Sequence, residues 1–88
     1  MEYQIASRTI TDEEGHPHQY QYILLVDQIE GHRFAYENYG VCIREEGGSS
    51  ARLPGITTSA MRMDELMSLL ISHQVTPTTL PDIVADWT

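Results

Sequence analysis

The hydrophobic positions of this chain change period part-way along it. Up to about residue 44 they alternate with polar ones, and after about residue 58 they recur at intervals of three and four. The first pattern predicts strands and the second predicts helices. Residues 2–11 (EYQIASRTIT) put Tyr3 and Ile5 on one face and end at the acidic turn Asp12-Glu13-Glu14-Gly15-His16-Pro17. Residues 18–30 and 33–44 are rich in Tyr, Ile, Leu and Val and read as two further strands. Gly31-His32 between them fits a two-residue type II′ hairpin turn, with Glu30 opposite Arg33. That register sets Leu24 against Tyr39, Tyr22 against Val41 and Tyr20 against Ile43. One sheet face then carries Tyr20, Tyr22, Leu24, Val26, Tyr39, Val41 and Ile43. The other carries Ile23, Leu25, Ile29, Phe34, Tyr36 and Cys42.

A polar connection, residues 45–50, leads to a possible short strand over 51–57, which Pro54 confines to a sheet edge. The helical stripe Met63/Leu66/Met67/Leu70 predicts a helix over 59–73, capped by Thr58 or Ser59. A second stripe, Leu80/Ile83/Val84/Trp87, predicts a helix over 80–87 with Thr79 as its cap and Pro81 in its first turn. The expected fold is therefore α+β and a single domain over 1–88. An N-terminal antiparallel β-meander of three to four strands carries two C-terminal helices on one face.

Two short helices cannot cover both faces of such a sheet. Assigned to the tyrosine-rich face, they leave Ile23, Leu25, Ile29, Phe34 and Tyr36 without cover. A patch of that kind marks an interaction surface. The leading expectation is a small non-catalytic module that homodimerises or binds another protein through these residues.

Charge narrows the partners. The 88 residues hold 13 Asp and Glu against five arginines and no lysine, a net charge of −8. Nucleic acid and anionic membranes carry the same sign and are excluded as partners, while a basic protein surface would attract the chain. An acidic regulator seated on such a surface is thus an alternative. The longest apolar run, Ile23 to Val26, is far short of a membrane span. Met1 to Gln4 lack signal-peptide features, and the single Cys42 excludes an internal disulfide, so the expected compartment is the cytoplasm.

Candidate chemistry is sparse. His16 and His18 flank Pro17 beside Asp12, Glu13 and Glu14, a donor set that suits Zn²⁺ or Ni²⁺ and equally suits a solvated turn. A metal- or small-molecule-binding protein using this turn is the second alternative. Cys42 with His18, His32 or His73 would be the components of a nucleophile and base, but a mid-strand cysteine reads as a small buried hydrophobe. No glycine-rich phosphate cradle is present. No cofactor, catalytic residue or enzymatic activity is expected.

Three segments carry a family resemblance: Tyr39-Gly40-Val41 with Ile43, Ile56-Thr57, and Pro77, Leu80, Asp82-Ile83-Val84, Asp86-Trp87. Across most of residues 20–88 the chain resembles short uncharacterised proteins of clostridial-type Firmicutes that form a domain family of unknown function. The resemblance implies a bacterial cytoplasmic protein and brings no activity or ligand.

Overall fold

Period-two runs separated by tight polar turns pair in the order in which they are made. The computed structural model describes residues 1–88 and has four strands followed by two helices. The strands are β1 (Glu2–Thr11), β2 (Pro17–Glu30), β3 (Ala35–Glu45) and β4 (Ser50–Thr57), and the helices are α1 (Ala60–Ser72) and α2 (Leu80–Trp87). The sheet is an antiparallel meander in the order β1-β2-β3-β4. The α+β expectation holds, with the fourth strand at the edge where Pro54 needs no ladder hydrogen bond.

Both helices pack on the tyrosine-rich face. Tyr20, Tyr22, Val41 and Ile43 of the sheet join Met63, Leu66, Met67, Leu70, Val75, Leu80 and Val84 in one buried cluster. The Tyr22 hydroxyl, fully buried, donates to the Val75 carbonyl at 2.9 Å and so ties the sheet to the link between the helices. Ser59 caps α1 by accepting from the Arg62 N–H. At the other end of α1 Gln74 takes a left-handed φ of 51°. The Val75 N–H then bonds the Leu70 carbonyl, and the Gln74 N–H bonds that of Ile71, which closes the helix. Thr79 is the N-cap residue of α2, as expected, but its side chain makes no capping bond. Its hydroxyl donates back to the Thr76 carbonyl, because the helical turn already begins there. The Arg62 guanidinium lies 4.4 Å over the Trp87 ring and joins α1 to α2.

The β2–β3 register departs from the expected one by two residues. Glu30 pairs with Ala35, not Arg33, and Leu24, Tyr22 and Tyr20 face Val41, Ile43 and Glu45. The turn has four residues, Gly31 to Phe34, closed by the Gly31 N–H on the Phe34 carbonyl at 2.8 Å. Gly31 is not among the glycines with positive φ, so the type II′ geometry is absent. A shift of two keeps every side chain on its face, so the two faces survive the error.

Two irregularities shape the edges. β1 bulges at Ile5, between Gln4 and Ala6. β4 arches over Gly40, where an added Cβ would clash with the Leu53 carbonyl oxygen and the Pro54 backbone. Beyond this arch β4 leaves β3 at Thr57, and β1 pairs no farther along β2 than Leu25, with Met1 bonding Val26. From Asp27 to Asn38 the sheet is therefore a two-stranded arm. The arm accounts for an elongated shape of 55 × 24 × 16 Å and a radius of gyration of 14.1 Å, against about 12 Å for a compact chain of this length.

Candidate functional site

The sheet has two ends of opposite character. At one end the β1–β2 and β3–β4 turns lie side by side, and His18 sits between them. Its Nε2 is 2.8 Å from Asp12 Oδ2, and its Nδ1 is 2.6 Å from Glu45 Oε1. The other Asp12 oxygen accepts the backbone N–H groups of Glu14 and His16, so Asp12 also sets the turn. Register brings Glu45 to this point, because β3 ends opposite Tyr20, two residues from His18.

A ring with a carboxylate on each nitrogen is best satisfied when both nitrogens donate, which is the imidazolium. The hydrogen bonds to Asp12 and then Glu45 raise His18 above the ordinary histidine value, and partial desolvation opposes them. The His18 bond and the His16 N–H hold Asp12 below the usual carboxylate range. Burial, with the nearby charges of Glu45 and Asp12, raises Tyr20, whose ring stacks on His18 at 6.4 Å. The two predicted metal candidates therefore meet at one carboxylate. His16, largely exposed, lies 3.8 Å from Asp12 and 3.7 Å from Glu14. No three His, Cys, Asp or Glu side chains converge on a point that could hold a metal ion. Both nitrogens of His18 face carboxylates rather than open coordination positions.

Cys42 is a buried free thiol between Ile23 and Arg52 on the face away from the helices. His32 and His73 belong to the hairpin turn and the α1 C-terminus. An apolar cleft of about 120 Å³ between Ile5, Leu24, Tyr39, Met63 and Met67 is well below the roughly 300 Å³ at which small-molecule sites begin.

The opposite face differs in part from the expected open patch. Ile23 and Leu25 are buried at 4% and 1% exposure, and with Cys42 they form a second small cluster. On the same face Glu2 reaches Arg52 at 2.9 Å and Arg44 at 3.7 Å, linking β1 to β3 and β4. These ion pairs span the strands on that face, and at Gly40, the residue opposite Leu25, β4 itself arches across it. Ile23 and Leu25 are buried and offer no free surface. Ile29, Phe34 and Tyr36 do. They lie on the arm, where every residue from Asp27 to Glu37 is exposed. Ile29 pairs directly with Tyr36, and the Phe34 ring stacks on Tyr36 at 5.8 Å. Sequence reasoning found these three through the face pattern. The Glu2 ion pairs and the His18 clasp join residues up to 50 positions apart, and no local pattern signals such pairs.

Over its whole length, residues 1–88, the chain matches a family of unknown function, DUF6514. The chain belongs to this family. The match includes β1 and the first turn, so the family extends beyond the segment over which motifs were recognised. Comparisons with curated proteins and with solved structures find no match. No helix is long and apolar enough to cross a membrane.

Proposed function

We propose that this DUF6514 protein is a small, non-catalytic interaction module that contacts a protein partner through its β2–β3 arm. The observation that carries the reading is Ile29, Phe34 and Tyr36 on a ribbon that leaves the packed body. An isolated two-stranded ribbon is marginal in water and gains most from a third strand or a covering surface. Aromatic anchors on a projecting element are what an interface uses for its central contacts. The setting in this reading is the cytoplasm of clostridial-type bacteria, where a free thiol such as Cys42 stays reduced. The test is co-purification from the native host with the full chain and with F34S/Y36S. Wild type should bring down a stoichiometric partner, either a second, differently tagged copy or another protein, and the variant should lose it. Recovery of the same partner by both forms would refute the arm as the contact.

A further inference from the structure

The arm has two open edges, and they differ in what they can pair with. On β3, Ala35 to Asn38 have β2 on one side and no strand on the other. The Gly31 N–H bonds the Phe34 carbonyl, so that carbonyl points toward β2. Alternation then turns the N–H and C=O groups of Ala35 and Glu37 to the open edge. The segment Arg33-Phe34-Ala35-Tyr36-Glu37 is its own antiparallel complement. Laid against itself with Ala35 at the centre, it sets Phe34 opposite Tyr36 twice and brings Arg33, in the turn just before the strand, to the level of Glu37 twice. Opposite charges and aromatic pairs in facing positions are the favourable cross-strand combinations. Neither Arg33 nor Glu37 has an ion pair within the chain. The open edge of β2 offers no such match: its outward groups are those of Gln28 and Glu30, and centred on Gln28 it opposes Asp27 to Ile29, a charge against an apolar side chain.

We propose that the partner of the arm is a second copy of this chain, paired antiparallel along the free edge of β3 with Ala35 on the two-fold axis. The proposal rests on the arm being the contact surface, and it adds the occupant and the register. Two marginal ribbons become one four-stranded sheet. Phe34 and Tyr36 of both copies form one aromatic cluster on the face away from the helices, and Arg33 of each turn lies beside Glu37 of the other copy. The arms hold the two acidic bodies apart, which matters because charges separated by more than about 8 Å are largely screened at physiological salt.

Sedimentation equilibrium at tens of micromolar protein in physiological salt tests this. Wild type should run as a dimer. R33E and E37R should each be at least about tenfold weaker, because each sets like charges beside one another twice. An equimolar mixture of the two variants should recover the dimer mass, since each reversed charge then meets its opposite, and R33E/E37R in one chain should do the same. Both positions are exposed and unpaired, so unchanged thermal midpoints should show that every variant is folded. A monomeric wild type overturns the second copy and leaves the arm to the co-purification test. A dimer unaffected by R33E, or variants that do not recover on mixing, overturns this register.

Discussion

The two ends of the sheet are built by opposite means. At the His18 end, two turns converge, and one ring between two carboxylates fastens them. At the arm end nothing converges. Two strands run past Glu2 of β1 and past Thr57 of β4, and they carry apolar side chains into solvent. The first end is satisfied within the chain and requires no partner. The second has open backbone edges and stacked aromatics, which is why association is assigned to the arm and not to the clasp.

The largest expected effect comes from breaking the body that separates the two ends. Leu66 is fully buried between α1 and the sheet. Leu66→Ala should cost about 2–5 kcal/mol by urea unfolding, the range for buried leucines. Phe34→Ala, measured on monomer at high dilution, should stay within about 0.5 kcal/mol, as surface positions do. Comparable losses at both sites would mean that the arm is part of the core.

The clasp predicts a smaller, pH-dependent effect. His18 is raised in the folded chain, so its contribution is complete below the ordinary value near 6.5 and is lost as pH rises through the raised value. Asp12 is lowered, so its contribution is present above the ordinary value near 3.8 and is lost as pH falls through the lowered one. Wild type should therefore lose stability as pH rises above about 6.5 and through the raised value, and H18Q should be flatter over that rise and less stable at its acid end. The effect should be modest, because the ring is 35% exposed. Parallel curves for the two proteins would remove the charged clasp.

Much of this was legible in the sequence, and the misses have physical causes. Face assignment depends on parity, and Tyr22, Leu24, Val41 and Ile43 kept theirs through a two-residue slip in register. The slip itself came from reading Gly31 as a turn glycine. The Phe34 ring lies within 3.6 Å of where a Gly31 Cβ would sit and stacks on Tyr36, which favours a longer turn. The site was half legible for a similar reason. Asp12 and His18 are close in sequence, but Glu45 joins them only through register. On the face of Ile23 and Leu25, Glu2 meets Arg44 and Arg52 across the sheet and β4 arches over Gly40, and sequence spacing carries no trace of either.

Amide hydrogen exchange at two protein concentrations tests the central claim most directly. The Ala35 and Glu37 amides should exchange fast in dilute solution, because their edge is open. They should become protected at tens of micromolar, with the amides around His18 unchanged between the two concentrations. Exchange at Ala35 and Glu37 that is the same at both concentrations would contradict association of this chain through the arm.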